Sequence, residues 1–428
     1  MDRVSRGVVV LAVVVGLAAV APTAGIVVDA GDEGPESVAG TTPETQGDGD
    51  ASVSPAGRES STVDERAPVR PRSTTNRTPH RLGVGPGPVR SGFATPGPDL
   101  GASLSVDHGE FGGAYILYLA RERLEAAETD AERRDVIREL IERTRGRVEA
   151  LRDREETAIR AYHNGSIDRQ ELLRRLARVD AEAGALRESV ADLRESYPSV
   201  ILPFESRLLN LIRGLQSMEG PIRDRIGQSV QGQATTGRIH VEASGEGLVL
   251  ELIDGELYVR EAIRMDHYAP DEPPSDIYSG IFERLNELYP QIPAESATTR
   301  IDSVGSRLFE ITKSHSMGGL TLYLDRTTGE VYRETQRLRL DRIPTTKATS
   351  ATGDELLLAV NRTPDGNPYR ISVVDVATGD PVDATVSVDG REVGRTGVDG
   401  VLWTLGPRGA FNVSAATERE RINVTVSD

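Results

Sequence analysis

Two runs of apolar residues, spaced alternately four and three positions apart, restrict most strongly how this chain can fold. The first run spans residues 137–162 and the second spans residues 172–197. This heptad spacing is typical of long helices that pack along a common seam. An Asn-Gly step between the runs is typical of a helix C-terminus, and Asp168 followed by Glu171 predicts a capping box that begins the second helix. The pattern therefore predicts an antiparallel hairpin of two long helices.

The hairpin belongs to a helical region that we place at residues 109–232. Charged residues outside the apolar stripes are mixed in sign, which is typical of solvated helix faces with i,i+4 ion pairs. A heptad stripe is usually a seam between helices. The sequence leaves open whether the two arms pair within one chain or between chains, so self-association through the helical region stays an alternative.

From residue 237 the apolar period changes to two residues, which is typical of β-strands. Three strand segments are followed by an amphipathic helix, with Ile281 and Leu285 on its apolar face, and then by further strand segments. The expected order is βββ-α-βββ. We interpret residues 237–345 as an α+β domain.

The last region, residues 354–428, contains seven short strand segments separated by turns that are rich in glycine and aspartate. That number and spacing of strands is typical of a β-sandwich. A short linker is expected at residues 344–355. We expect Trp403 and Leu405 to fill the core of the sandwich.

The final hairpin of the α+β region reads "YLDRTTGEV" at residues 323–331. Apolar residues flank an Asp-x-x-Thr-Gly-Glu turn, whose Asp325 and Gly329 are also explained by turn chemistry. Together with the preceding helix, residues 276–340 resemble the PepSY module. This resemblance implies a binding or inhibitory module outside the cell.

A longer pattern of turn and strand residues occurs in the last region. Its members are Thr378, Gly379, Pro381, Val382, Ala384, Thr396, Asp399, Gly400, Gly409, Phe411 and Val413. In this pattern the region resembles the carboxypeptidase regulatory-like and related immunoglobulin-like surface domains, which implies a passive sandwich. The expected fold class is therefore multidomain: an N-terminal disordered linker, an all-α coiled-coil hairpin, an α+β domain and a C-terminal all-β immunoglobulin-like sandwich.

The first 30 residues combine a positively charged start with an apolar core. Arg3 and Arg6 precede an apolar segment at residues 8–21, and Ala30 ends a run of small residues before a candidate cleavage site. This arrangement is typical of a secretory signal peptide. The alternative is an uncleaved membrane anchor, because residues 7–28 match the ~20 residues that a bilayer span needs.

Residues 31–108 are rich in Gly, Pro, Ser, Thr and charge and predict a disordered linker. With either reading of the leader, the rest of the chain is expected outside the cytoplasm, secreted or at the cell surface. Asn-x-Ser/Thr sequons agree with export and are candidate glycosylation sites. They lie at Asn76, Asn164, Asn361, Asn412 and Asn423.

The charge balance limits the classes of partner. The chain has 67 acidic and 50 basic residues, a net charge of -17, and no cysteine. Almost all the bases are arginine, and an acidic, lysine-poor surface suits concentrated salt. The composition resembles that of haloarchaeal proteins. The acidic charge argues against a nucleic-acid partner, and the lack of cysteine excludes disulfide scaffolds and thiol catalysis.

No motif of a catalytic or metal centre occurs in the sequence. The six histidines form no i,i+4 pair, and neither His-Glu-x-x-His nor Gly-x-Ser-x-Gly is present. Residues 313–319 bring Lys, Ser and His together, which is typical of a strand end before a glycine turn. We therefore expect no enzyme activity, no cofactor and no metal site.

These features predict a non-enzymatic extracellular or membrane-tethered surface protein that presents binding or structural modules at the cell envelope. The expected partner is a protein or glycan of the cell envelope or surface layer. The alternative is a regulator, or inhibitor, of extracellular proteases that acts through the PepSY-like region.

Overall fold

The structure, a computed structural model, describes residues 81–270, 272–273, 280–290, 292, 298–304, 307–364 and 366–427. Residues 1–80, with the predicted leader, Ala30 and Asn76, lie outside the described residues. The described residues belong to one compact unit. Its first part is helical. The helices are α1 (Leu100–Ala126), α2 (Asp130–His163), α3 (Arg169–Ser196), α4 (Pro198–Ile201), α5 (Glu205–Gln216) and α6 (Pro221–Val230), and a 3-10 turn (Leu202–Phe204) separates α4 from α5.

The predicted hairpin is confirmed and consists of α2 and α3. Every member of the two heptad series is buried except the last, Tyr197, which is half-buried. Helix α2 ends at His163, and the turn that follows contains Asn164 and Gly165, whose φ is 84°. The backbone N–H of Glu171 donates to the carboxylate of Asp168 at 2.8 Å and caps α3, which is one of the two hydrogen bonds of the predicted capping box. With 34 residues, α2 is about 50 Å long.

The predicted linker at residues 31–108 is too long. Strand β1 (Arg90–Ala94) and the start of α1 lie inside that range. Residues 109–126 of α1 lie within the predicted helical region, although Gly109, Gly112 and Gly113 lower the helix propensity of its middle. Packing offsets this loss, since Gly109 and Gly113 lie against α3, where a side chain would meet backbone atoms at 3.2 Å or less.

The second part is an antiparallel sheet of eight strands. After β1 these are β2 (Ile239–Ala243), β3 (Gly247–Asp254), β4 (Leu257–Arg264), β5 (Thr298–Val304), β6 (Leu308–His315), β7 (Gly318–Asp325) and β8 (Val331–Arg339). Helix α7 (Ile281–Leu288) lies between β4 and β5 in the chain, and 3-10 turns occur at Met265–His267 and Leu340–Arg342. The spatial order is β1-β2-β3-β4-β8-β7-β6-β5.

Two details of the predicted order βββ-α-βββ are wrong. Four strands follow α7, because the PepSY-like hairpin contributes both β7 and β8. In addition, β1 from the predicted linker pairs with β2, with Phe93 opposite His240. The sheet therefore draws on residues on both sides of the helical region.

Alternation along the strands gives the sheet two covered faces. On one face Val241, Leu250 and Val259 pack against the ends of α1, α2, α3 and α6. On the other face, side chains such as Val249 and Ala262 pack with α7 and with Leu82 and Val84. Helices α1, α2, α3 and α6 therefore lie on the face opposite to the last region, because the last region packs on the second face, as α7 does.

The third part is a sandwich of two four-stranded sheets. Its strands are β9 (Thr346–Thr352), β10 (Leu356–Thr363), β11 (Gly366–Asp375), β12 (Thr385–Val388), β13 (Arg391–Arg395), β14 (Val401–Thr404), β15 (Phe411–Ala416) and β16 (Arg421–Val426). The sheet orders are β14-β11-β10-β9 and β13-β12-β15-β16. The predicted start at residue 354 is too late, because β9 forms within the predicted short linker and pairs with β10.

The expected position of Trp403 and Leu405 is also wrong. Leu405 is buried and Trp403 is half-buried, but both pack against Tyr258 and Leu340, outside the sandwich core. Alternation along β14 turns Leu402 into the sandwich and Trp403 out of it. These two residues therefore join the sandwich to the eight-stranded sheet.

Candidate binding cleft

An open cleft separates part of the helical region from the eight-stranded sheet. The hydrophobic core between the helices and the sheet extends under strands β5 to β8 only as far as the strand ends at Leu308, Tyr323 and Tyr332. Toward the opposite ends, Thr312, Thr321 and Thr335 line a cleft of about 1100 Å³. Its other wall is formed by α1, α3 and the segment that leads from α5 into α6.

The side chains that line the cleft are strongly unequal in charge. Seven carboxylates line it, against the guanidinium groups of Arg187 and Arg337. The carboxylates belong to Asp107, Glu110, Asp180, Glu188, Asp192, Glu219 and Asp224. One of the two cations is already shared, because Arg187 donates to Glu219 at 2.6 Å and lies 3.5 Å from Glu188. The cleft therefore presents a concentrated negative charge to any ligand.

Three of these carboxyl groups hold their protons more tightly than usual. Burial raises the pKa of Asp180 well above its ordinary value, although the backbone N–H of Gly220 donates to it at 2.7 Å. Burial also raises the pKa of Glu219. At Glu110, burial is joined by the negative charges of Asp107 and Glu188, and the pKa is raised. Burial therefore lowers the ionised fraction of these three groups, and a nearby positive charge would favour their ionised forms.

Aromatic rings complete the walls. Tyr323 lies in the cleft floor, where burial raises the pKa of its hydroxyl. Phe111 stands at the α1 wall with 65% of its surface exposed, and its ring stacks on Tyr115 at 5.7 Å between centroids. Aromatic faces attract cations as well as apolar groups. Together, the carboxylates and rings suit a ligand that combines positive charge with apolar contacts.

A buried ion cluster beside the cleft fixes the helices on the sheet. Glu155 of α2 accepts hydrogen bonds from both Arg223 of α6 and Arg333 of β8. Arg223 also lies 3.2 Å from Glu261 of β4, whose carboxylate accepts the backbone N–H of Ile222 at 2.5 Å. Burial would raise the pKa of Glu155, but the two arginines outweigh it and hold the pKa below its ordinary value. The cluster is fully enclosed and serves packing rather than ligand binding.

A second buried cluster joins the sheet to the sandwich. Glu251 of β3 accepts from the hydroxyl of Tyr258 at 2.6 Å and lies 2.7 Å from Nδ1 of His240. Its carboxylate also accepts from the amide of Asn367 at 2.8 Å, and Asn367 accepts in turn from the N–H of Gly406. Burial opposes ionisation, yet the hydrogen bond from His240 and the charges of Arg81 and Arg260 hold the pKa of Glu251 far below its ordinary value.

The sequons within the described ranges differ in accessibility. Asn164 lies exposed in the α2–α3 turn, and Asn412 and Asn423 are exposed on adjacent strands of the sandwich. Their register pairs Asn412 with Thr425 and Ser414 with Asn423, so the two sequons share one outer face. Asn361 is half-buried in β10, between two neighbouring strands. Glycosylation at these sites stays a prediction, and Asn361 is the least accessible of the four.

The Lys-Ser-His segment does not assemble a nucleophile with a base. Lys313 and His315 lie on one face of β6, whereas the exposed Ser314 points to the opposite face. Burial lowers the pKa of Lys313, and burial together with the charge of Lys313 lowers the pKa of His315. Elsewhere in the described ranges, no group of three or more His, Asp or Glu side chains is arranged to hold a metal ion.

Sequence reasoning missed every carboxylate of the cleft. The sequence patterns place Asp107 in the predicted linker and the acids of α3 and α6 on solvated helix faces. They meet only because α1, α3 and the segment that leads from α5 into α6 pack together, and no spacing within one segment carries that information. Their only signal in the sequence is the general excess of acids.

Family models match nearly the whole chain in three successive pieces. A model described as "Domain of unknown function (DUF7096)" matches residues 5–235, more than half of the chain. One described as "Family of unknown function (DUF7094)" matches residues 239–344, and one described as "Archaeal fibronectin-III type-like domain" matches residues 347–424. The boundaries follow the change from α6 to β2 and from β8 to β9.

No curated protein and no solved structure matches the chain. The fibronectin-III-like match agrees with the immunoglobulin-like sandwich, whereas the PepSY resemblance of the middle region receives no support. Fibronectin-III-like domains are typical of extracellular or surface proteins. Among the helices of the described residues, none is both long enough and apolar enough to span a bilayer.

Proposed function

The chain belongs to the family described as "Domain of unknown function (DUF7096)", and from this premise we propose that it is a non-enzymatic, exported protein of the cell envelope that binds a cationic segment of an envelope partner in its acidic cleft. Three features support export: the apolar leader, the sequons and the fibronectin-III-like sandwich. The leader holds the protein at the membrane or is removed on secretion.

A binding role is supported by the way the three folded regions are joined. Buried ion pairs fix the helices to the sheet, and a buried hydrogen-bond cluster together with Trp403 and Leu405 fixes the sandwich to it. Such interfaces favour a rigid body over hinged domains. A rigid body keeps the two walls of the cleft, which come from different regions, at a constant separation.

The observation that carries the proposal is the charge of the cleft, in which seven carboxylates face two arginines. A concave surface lined by one sign of charge concentrates ligands of the opposite sign. The exposed ring of Phe111 adds an apolar contact at the rim. We infer a polypeptide segment rich in Arg or Lys as the ligand class, since a cleft of this size exceeds what a simple cation needs.

The proposal is tested with a fluorescent octa-arginine peptide, with octa-glutamate as the comparison, by anisotropy over a series of salt concentrations. The double variant Glu188→Gln and Asp192→Asn neutralises two carboxylates of the cleft. We expect it to weaken octa-arginine binding about tenfold at low salt, with a smaller difference as salt screens the charges.

The matched control is the double variant Glu149→Gln and Asp153→Asn, which makes the same charge change on the exposed side of α2. It should bind octa-arginine about as well as the unaltered chain. Equal losses in both double variants would mean that net charge, rather than the cleft, attracts the peptide, and would refute the proposed site.

The alternative role, regulation of extracellular proteases, rests on the PepSY resemblance alone. No contact or surface of the described residues favours it over the cleft. It stays a prediction of the sequence, testable by adding the full chain to a secreted protease of the same cells.

A further inference from the structure

Helix α1 exposes a second apolar stripe on the side opposite to its packed face. Its inner face consists of buried residues, namely Ala102, Val106, Gly109, Gly113, Leu117, Ala120 and Leu124. Its outer face carries Leu100, Leu104, Phe111, Tyr115 and Tyr118, with exposed fractions of 77%, 59%, 65%, 46% and 58%. From Leu104 to Tyr118 these outer residues follow one another at steps of seven, four and three, which is heptad spacing, and Leu100 lies one further step of four before Leu104. We call them the outer stripe.

The outer stripe contains half of the ten large apolar residues that are most exposed in the described part of the chain. Single exposed apolar side chains are ordinary, but a contiguous apolar patch marks an interaction site. A helix that is apolar on two opposite faces is normally covered on both. One face of α1 is covered by α3, so the other calls for a partner of its own.

We propose that the outer stripe is a dimer interface and that a second copy of this chain covers it, with the two α1 helices antiparallel. Heptad spacing is the pattern that one helix offers to another helix, since knobs of each fill holes of the other. A flat membrane surface needs no such register. Leu104 and Tyr118 do not line the acidic cleft, whereas Phe111 of the outer stripe and the neighbouring Asp107 border both surfaces.

The exposed area is sufficient for a reversible dimer. Since an aromatic side chain can bury about 150–250 Å², the outer stripe offers on the order of 500 Å² of apolar surface in each copy. Two copies then bury on the order of 1,000 Å², near the lower limit for a specific interface. We therefore expect dissociation in the micromolar range rather than an obligate dimer.

The charges that flank the stripe favour the antiparallel arrangement. Asp107 and Arg121 lie on the same flank of the helix, two turns before and about two turns after its centre near residue 114. In an antiparallel pair centred near Tyr115, Asp107 of each copy faces Arg121 of the other. In a parallel pair this flank would instead face the opposite flank of the partner helix, and the pairing of Asp107 with Arg121 would be lost.

The absence of cysteine from the chain allows the geometry to be tested by crosslinking the full chain. In the variant Tyr115→Cys, the two new thiols lie beside the two-fold axis and should form an intermolecular disulfide in high yield under mild oxidation. The matched control Leu202→Cys places a thiol at a residue that is 74% exposed and outside α1. It should crosslink at least tenfold more slowly.

Sedimentation velocity of the full chain supplies the second readout. The unaltered protein should shift from monomer to dimer between about 1 and 100 μM, the range of a reversible interface of this size. Leu104→Glu with Tyr118→Glu should remain monomeric over the same range. The control Leu202→Glu with Val398→Glu, which charges two exposed apolar residues elsewhere, should dimerise like the unaltered protein.

Three results would overturn the proposal. The first is that the unaltered protein stays monomeric at 100 μM. The second is that the dimer survives Leu104→Glu with Tyr118→Glu, which would assign association to the leader, a segment that all the variants share. The third is stripe-dependent flotation of a monomeric protein with lipid vesicles, which would make a membrane the occupant. If the unaltered protein forms the dimer but does not bind octa-arginine, the proposed function is refuted and the dimer interface is not.

Discussion

Glu155 is a fully buried carboxylate that two buried guanidinium groups, those of Arg223 and Arg333, need for charge neutralisation. Glu155→Gln keeps the shape of the side chain but leaves both cations with less compensation. Breaking a buried ion pair from one side costs about 3–5 kcal/mol. We expect a loss of about 3 kcal/mol in the free energy of unfolding by urea, because Arg223 keeps Glu261 and Arg333 keeps the hydroxyl of Tyr332.

The control for this prediction lies on the same helix. Glu149 is exposed, and Glu149→Gln should change the free energy of unfolding by less than about 0.5 kcal/mol, as surface substitutions do. If the two variants were equally stable, the cluster would contribute no more than surface charges. The heptad series predicted that position 155 is buried, but no local pattern could identify its partners on α6 and β8.

Because of Asp180, we expect a contribution to the free energy of unfolding whose pH dependence is opposite in sign to that of an ordinary ion-paired acid. Its ordinary pKa is 3.8, and burial raises the pKa in the folded protein. The folded state therefore binds the proton more tightly than the unfolded state, and its stability falls as pH rises from about 4 through the raised pKa. Asp180→Asn removes this penalty while Oδ1 still accepts from Gly220.

We expect Asp180→Asn to increase the free energy of unfolding at pH 8 by at least about 1 kcal/mol, since each pKa unit corresponds to about 1.4 kcal/mol. At pH 4 the two proteins should be nearly equal. Urea unfolding at pH 4, 6 and 8 measures the difference. A gain that is constant across this range would show that the substitution acts through something other than the proton on Asp180.

At the scale of elements, two glycines of α1 allow the effect of helix propensity on stability to be distinguished from the effect of packing. Gly113 touches α3, and a Cβ there would lie 3.0 Å from Cβ of Ala185 and from the backbone N of Leu186. Gly113→Ala should therefore force the helices apart and cost about 1–3 kcal/mol, as overpacking does. The measurement is the free energy of unfolding by urea.

The adjacent glycine is a matched control, because Gly112 has open space where its Cβ would lie. There, alanine should stabilise the protein by up to about 1 kcal/mol through helix propensity alone. Opposite effects of the same substitution at neighbouring positions would confirm that α1 is held by close packing on α3. Two destabilised variants would mean that the outer side of α1 is also crowded.

Periodicity predicted the elements whose pattern is self-contained. The α2–α3 hairpin, its Asp168 cap and seven of the eight sandwich strands follow from spacing and turn residues alone. The start of α1 (residues 100–108), β1 and β9 were missed because their local sequences are short, polar or interrupted by glycine. They become regular only through partners that are distant in the chain, as when Arg90–Ala94 pairs with β2.

For the whole molecule, the sequence indicated separate domains, whereas the structure joins them through side chains with no local signature. Trp403 was expected in the sandwich core but lies on the surface that faces the eight-stranded sheet. The acidic cleft has the same origin, since its two walls come from different family matches. The sequence of each segment, taken by itself, does not predict the contacts between regions.

This joining predicts that the sandwich and the eight-stranded sheet unfold together. Trp403 is the only tryptophan of the chain and lies at their interface, so its fluorescence reports whether the sandwich stays docked. In the unaltered protein, urea curves from tryptophan emission and from far-UV circular dichroism should coincide, as in a cooperative transition. Separate midpoints would mean that the regions unfold as independent domains.

Asn367→Ala removes the amide that bridges Glu251 of the sheet and Gly406 of the sandwich. Because Glu251 keeps His240 and Tyr258, the sheet itself should remain folded while docking weakens by about 1–3 kcal/mol, the cost of leaving buried polar groups unpaired. The midpoint from tryptophan emission should then fall below that from circular dichroism. Asn412→Ala, at an exposed position on the same sandwich, should leave the two curves superimposed when both proteins are made without glycans. Superimposed curves for Asn367→Ala as well would place the cooperativity in the apolar contacts of Trp403 and Leu405 instead of in the Glu251 cluster.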